Sequence, residues 1–303
     1  MGQPLTTPTT IEANPKIAPE EEAVTPRRSW LTVRRVRRYK LALASLVFLL
    51  LLHLAVFLGP LVWRLAPNAV DPLAATTGFS AAHPFGVDDL GRDELSRLIA
   101  GGQVTLIVGF VSMLFLILVG VVVGAAAAYW GGWIELALMR LTDTMLAIPN
   151  FFFVLVALTV FSRSPLSVAL VIGASSWMEV TRVVYGETLQ WKARDFVEAA
   201  HAVGLPGWRI LLRHILPQVT PVIIVSATLG VAYAILTESA ISYLGLGIQP
   251  PTASWGNMLK DAQGYIWTDP SLAILPGIAI SLVVLAYNLL GDGLRDLLDP
   301  RRG

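Results

Sequence analysis

The sequence contains no cysteine, which removes disulfides, thiolate nucleophiles and cysteine-based metal sites together. Histidine is scarce as well. His53, His83, His201 and His214 are scattered and offer no His-Glu-x-x-His or similar ligand spacing, so no metal site is expected. No Gly-x-x-x-x-Gly-Lys-Ser/Thr phosphate loop occurs, and Lys16, Lys40, Lys192 and Lys260 lie in no such context. The chain is therefore not expected to hydrolyse ATP, and no catalytic residue stands out. Charged residues make up 14% of the 303 positions and sum to +1, which leaves no global field to attract nucleic acid. The composition is instead 55% hydrophobic with a mean hydropathy of +0.65, more apolar than a soluble domain of this size needs. A membrane protein follows, and the helical spans that its long apolar runs predict make it all-α.

Residues 1–39 read as a disordered basic tail: Thr, Pro and Glu dominate its start, and Arg27, Arg28, Arg34, Arg35, Arg37, Arg38 and Lys40 precede any long apolar run. That basic cluster predicts a cytoplasmic N-terminus. Residues 40–303 form the membrane domain. Roughly 20 apolar residues cross the hydrocarbon core as a helix, which predicts spans over 41–63, 103–128, 141–161, 165–180, 219–242 and 272–290. Arg295, Arg301 and Arg302 put the C-terminus on the same side as the N-terminus, in agreement with the even number of crossings.

Between the fourth and fifth spans, residues 190–217 form a charged interruption. Small residues at Ala199, Ala200 and Ala202 let another backbone approach a short helix closely, and Gly204 followed by Pro206 is a stop signal. Lys192, Arg194, Arg209 and Arg213 place the segment in the cytoplasm. Glu198-Ala199-Ala200, then Gly204, then His214 through Leu216-Pro217 resembles the EAA loop of binding-protein-dependent ABC importer permeases, with His214 where the general pattern has Ile.

Other stretches are similar to the second permease subunit of dipeptide, oligopeptide and nickel importers. They are His83-Pro84-Phe85-Gly86-Val87-Asp88-Asp89-Leu90-Gly91-Arg92-Asp93 through Arg97, Glu238-Ser239-Ala240-Ile241-Ser242-Tyr243-Leu244-Gly245-Leu246-Gly247-Ile248-Gln249-Pro250-Pro251 through Trp255-Gly256, and Gly291-Asp292-Gly293 through Arg301. Val87 departs from that pattern, where Thr is usual, as does Gln103, where Arg or a similar residue is common.

The resemblance implies a bacterial inner-membrane importer with a homologous second permease forming a heterodimer, two ATP-binding subunits that carry ATP and magnesium, and an extracytoplasmic substrate-binding protein. This chain would be the multi-pass transport subunit, without a cofactor of its own. Glu198, Ala199, Ala200, Gly204, Leu216 and Pro217 would couple to the ATPases, and Asp88, Arg92, Asp93, Gln249 and Trp255 would lie at the outer face or contact the binding protein. The cargo would be a di- or oligopeptide; nickel or another small solute is the alternative within the class, and an ion-coupled secondary transporter is the alternative outside it.

The polar residues inside the spans have plainer readings. Asp143 is expected to pair with Arg140 nearby, and Glu179 with Arg182. Asn150, beside Pro149, either satisfies freed backbone groups or lines the pathway. The acidic Asp88, Asp89 and Asp93, interleaved with Arg92 and Arg97, suit charge pairing better than a hard-cation site.

Overall fold

The computed structural model describes Gly2, residues 28–74 and residues 78–298, with side chains placed from Lys40 onward. The chain divides into two units, Met1–Arg37 and Arg38–Gly303. Of the first, the described backbone is helical from Arg28; the rest of the expected tail, apart from Gly2, lies outside the described residues. Residues 28–39 are thus helical rather than disordered. Arg and Lys are good helix formers, and a helix nucleated in the apolar run extends backward through them.

Among the described residues eleven α-helices follow in order: α1 Arg28–Val62, α2 Glu94–Trp130, α3 Gly132–Leu146, α4 Asn150–Val160, α5 Pro165–Ala174, α6 Trp177–Lys192, α7 Asp195–Ala202, α8 Gly207–Ile210, α9 Leu216–Tyr243, α10 Trp255–Asp261 and α11 Ser271–Leu298. Among the described residues the only β pairing is an isolated bridge between Val87 and Asp93. Lys40–Val62, Glu94–Trp130, Gly207–Tyr243 and Ser271–Leu298 are long and apolar enough to cross a bilayer, and counting each bent pair, α3 with α4 and α5 with α6, as one span gives six.

Each bent pair breaks at identifiable residues. The pair α3 and α4 turns by 87° across Ala147, Ile148 and Pro149. Proline lacks an N–H and pushes the residue before it out of helical geometry, so the break falls where Pro149 stands. The pair α5 and α6 bends by 42° at Ser175 and Ser176, whose hydroxyls donate back to the Ile172 carbonyl at 2.8 and 2.9 Å. Such back-bonding competes with the helical ladder. The helix from Gly207 to Tyr243 is continuous, but at Leu211–Ile215 it widens into one π turn, with Leu216 N–H bonded to Leu211 O. In regular α geometry the Pro217 ring would press on the carbonyl of Arg213, and the wider turn relieves that clash.

α2 is the central helix, packed against α5, α6 and α9. Glycine makes its closest approach to α6 possible. A Cβ on Gly120 would lie 2.7 Å from Val180 Cβ and 2.9 Å from Trp177 O, and one on Gly124 would lie 2.6 Å from Thr181 O. The two backbones touch there, as small residues allow in membrane helix pairs. Ser112 Oγ donates to Ala169 O at 2.8 Å and ties α2 to α5.

Candidate functional site

The 190–217 segment lies at one end of the bundle, between the end of α6 and the start of α9. Val197 and Ala200 are buried in a cluster with Ala125 and Tyr129 of α2, Val184 of α6, and Ile210 and Ile215, which bolts α7 to the α2 and α6 pair. The opposite side of α7 is open: Asp195, Phe196, Glu198, Ala199, His201, Ala202 and Val203 are all exposed. Its end is a Schellman motif, in which Gly204 N–H bonds to His201 O at 2.9 Å and Leu205 N–H to Ala200 O at 3.2 Å. Gly204 has φ +82° and no atom within 4 Å of where a Cβ would stand, so the backbone conformation, and not crowding, calls for glycine.

Lys192 Nζ donates to Ala128 O at 3.2 Å, which closes the end of α2 onto the start of this unit. Of the residues expected to couple, Glu198, Ala199 and Gly204 are exposed at the tip and Ala200 is the buried anchor. Pro217 is exposed and Leu216 half-buried where the π turn opens into α9.

The residues expected at the outer face gather at the other end of α2, and most of them are interior. Asp88, Arg92, Asp93 and Trp255 are 5%, 6%, 4% and 1% exposed, so they shape this face from beneath and do not present themselves on it. Their burial has a local cause. The Val87–Asp93 bridge folds the loop on itself, and Asp88 accepts from Arg92 Nε at 2.6 Å and from the Arg92 backbone at 2.9 Å. Asp93 caps α2, accepting from Ser96 N–H at 2.8 Å and from Trp63 Nε1 at 2.8 Å, with His83 Nδ1 also at 2.8 Å.

Burial alone would raise the Asp93 carboxyl; the hydrogen bonds from Ser96, His83 and Trp63 outweigh it and hold the group below the ordinary aspartate value. Asp261 of α10 lies 3.7 Å from Arg92 and 3.5 Å from Arg97 and latches α10 over this loop. Its carboxyl is pushed up by burial, against the pull of Arg97 and Arg92. Trp255 Nε1 donates to Leu98 O at 2.9 Å and its ring packs over Gly102. Gln249 is half-buried and bonds Gly245 O and Gly247 O, both at 3.0 Å, closing the turn that follows α9. No cluster of three or more His, Cys, Asp or Glu able to hold a metal occurs among the described residues.

Within the bundle, two expected pairings are replaced. Asp143 bonds Arg182 of α6 and not its neighbour Arg140, because α3 lies against α6 and brings the two side chains together at its open edge. Arg182 is thereby taken, and Glu179 is left exposed with no ion pair among the described residues. Asn150 joins three elements: its Nδ2 donates to Tyr233 Oη on α9 at 2.7 Å and to Ser176 Oγ at the α5–α6 break at 3.3 Å. A cavity of about 660 Å³ opens beside the 190–217 unit, lined by Glu187, Gln190 and Arg194 from α6 and its end, Gln218 and Val225 from α9, and Arg295 from α11. Sequence reading gave Glu179 the partner Arg182, which the structure gives to Asp143, and it missed this cavity. The one signal for Glu179 was an ionisable residue at the middle of an apolar stretch.

Comparison with known proteins places these features in a family. The model of the binding-protein-dependent transport system inner membrane component matches residues 117–303, and that of the N-terminal TM domain of oligopeptide transport permease C matches residues 29–81. The oligopeptide transport system permease protein OppC of Haemophilus influenzae is 36% identical over 88% of this chain and 87% of its own length. The dipeptide permease DppC of Alkalihalophilus pseudofirmus is 34% identical over 99% of this chain and 97% of its own. The glutathione permease GsiD of Pectobacterium atrosepticum is 37% identical over 88% of this chain and 89% of its own. Among solved structures, an inward-facing MetNI methionine ABC transporter chain superposes with a TM-score of 0.56 at 16% identity, covering 67% of this chain and 96% of that one; this likeness speaks to the fold.

Proposed function

This chain belongs to the family of binding-protein-dependent transport system inner membrane components, as a permease subunit of the oligopeptide C type in an ABC importer, and we propose that its cargo is a di- or oligopeptide. The relatives named above carry oligopeptides, dipeptides and glutathione by name, and glutathione is itself a peptide, which favours this cargo over nickel. In the proposed arrangement a homologous permease completes a heterodimer, two ATP-binding subunits hold ATP and magnesium, and a substrate-binding protein delivers the peptide at the α10 end. Both termini and α7 face the cytoplasm of a bacterial inner membrane. The basic residues around α7 and at the tail of α11 support this orientation.

The observation that carries the coupling role is the two-sided character of α7. One side is locked to α2 and α6 by Val197 and Ala200, and the other is small, charged and free. An ATPase gripping the free side moves α6 and α2 with it, since those two backbones touch at Gly120 and Gly124. A coupled two-state change of this kind is what alternating access requires. Glu198, Ala199, Ala200, Gly204, Leu216 and Pro217 serve this coupling. Asp88, Arg92, Asp93 and Trp255 hold the shape of the face to which the binding protein docks, and Gln249 holds its rim.

Reconstituted vesicles holding the whole assembly test the reading. Peptide uptake is expected to require ATP and the partner ATPases. Uptake driven by an ion gradient without ATP would show a secondary transporter instead.

A further inference from the structure

Glu179 falls at the midpoint of the bent pair Pro165–Lys192 that makes one crossing, on the first turn of α6. It is exposed, and no ion pair reaches it among the described residues. Ser176 and Glu179 have the spacing of a capping box, yet that box is not formed: Ser176 Oγ donates to Ile172 O and accepts from Asn150, and no side chain caps α6. The carboxylate therefore makes no hydrogen bond or ion pair among the described residues, beyond the favourable place of an acid in the first turn of a helix. An ionisable group at bilayer depth that its own chain leaves uncovered faces a water-filled path or a partner, because hydrocarbon would impose a large penalty on it.

The surroundings are polar and unfinished. The Asn150 amide is bonded at one end to Tyr233 and Ser176, while its Oδ1 is buried and meets no partner among the described residues. Tyr233 is 40% exposed on α9. The depth follows from packing: Gly173 abuts Ser112 O and Phe115, and Trp177 O abuts Gly120, so the cluster lies level with the middle of α2, about 15 Å of helix rise from its end at Trp130. Steps of four residues along α6 lead from Glu179 through Val183 to Glu187, which lines the 660 Å³ cavity.

We propose that Glu179, with the Asn150 amide oxygen and the Tyr233 hydroxyl, is a station for a substrate ammonium group at mid-depth on the transport path. The inference rests on the reading of the chain as a peptide permease. The chemistry fits that cargo: a carboxylate and an amide oxygen both accept, an ammonium donates three hydrogen bonds, and every peptide with a free N-terminus carries one. The polar face of α6 then continues toward the cavity beside α7.

Because the chain has no cysteine, a single probe can be placed. In the complete reconstituted assembly, Val183→Cys, one turn from Glu179 and 46% exposed, is expected to react from water and about tenfold faster with a cationic than with an anionic methanethiosulfonate. Adding Glu179→Gln should lower that ratio about threefold, the Glu187 carboxylate one turn beyond Val183 keeping the rest, and Glu179→Asp should retain the preference. A peptide with a free amine should slow the cationic reagent, and its N-acetylated form should not. No labelling of the intact assembly, or a ratio indifferent to Glu179→Gln, overturns the station. A charge-dependent ratio with protection by another ammonium-bearing solute but by no peptide upholds the station and refutes the peptide reading.

Discussion

Gly204→Glu is expected to leave the chain folded and inserted while lowering ATP-driven uptake about a hundredfold, the size of a lost hot-spot contact of about 3 kcal/mol. The isolated subunit has open space at this position, so the new side chain meets nothing of its own protein. The folded-state cost is confined to the left-handed backbone, where any residue with a Cβ loses about 1 to 2 kcal/mol relative to glycine. Only a partner pressed against the tip of α7 turns the added bulk and charge into a functional loss. Gly204→Asn is the control, since asparagine tolerates this conformation and adds no charge; it should retain most of the uptake. Assembly on a sizing column and uptake in vesicles read the two consequences separately. Equal loss in both variants would assign the glycine a folding role alone.

Gly124→Leu is expected to fail at an earlier stage. A Cβ there would stand 2.6 Å from Thr181 O and 3.1 Å from both Tyr185 N and Val184 Cβ, and two of these three atoms are backbone that cannot rotate away. The α2 and α6 helices must part, at a cost of about 3 kcal/mol. At the usual scaling this lowers the melting midpoint of the solubilised assembly by about 8 °C. Because α6 runs directly into the α7 unit, separation also loosens the joint through which motion passes. Gly186→Leu, on the facing helix α6 with nothing within 4 Å of its Cβ position, should leave the midpoint unchanged. A similar drop in both variants would mean that leucine in place of a glycine disturbs either helix by itself and that the close contact at Gly124 is not special.

The parts of this architecture that sequence made legible are those written locally. The six apolar stretches, the stop at Gly204 and Pro206, and the break at Pro149 each follow from a few adjacent residues. The α5–α6 bend was hidden because it is made by serine hydroxyls turning back to Ile172 O, and two serines in an apolar stretch carry no fixed instruction.

Pairing between distant segments was the other gap. Spacing nominated Arg140 for Asp143 and Arg182 for Glu179, but the packing of α3 on α6 joined Asp143 to Arg182 and freed Glu179. In the loop before α2 the alternation of acids and arginines announced pairing. It gave no sign that Trp63, 30 residues earlier, would meet Asp93 and help to bury the cluster. Asn150 was open between satisfying freed backbone groups and lining the pathway; its amide instead bonds the Tyr233 and Ser176 hydroxyls, partners that lie 83 and 26 residues away in sequence.

The central claim is that the open side of α7 receives the ATPase. Single cysteines at Ala199 and Ala202, both exposed, and at Val197, buried beneath them, put it to the most direct test in the assembled complex. With a short bifunctional thiol reagent and cysteines placed along the ATPase groove, Ala199→Cys and Ala202→Cys are expected to form cross-links to the ATP-binding subunit and Val197→Cys to form none. Cross-linking from Val197→Cys alone, or no cross-link to the ATPase from either exposed position in an assembly that still transports, would contradict it.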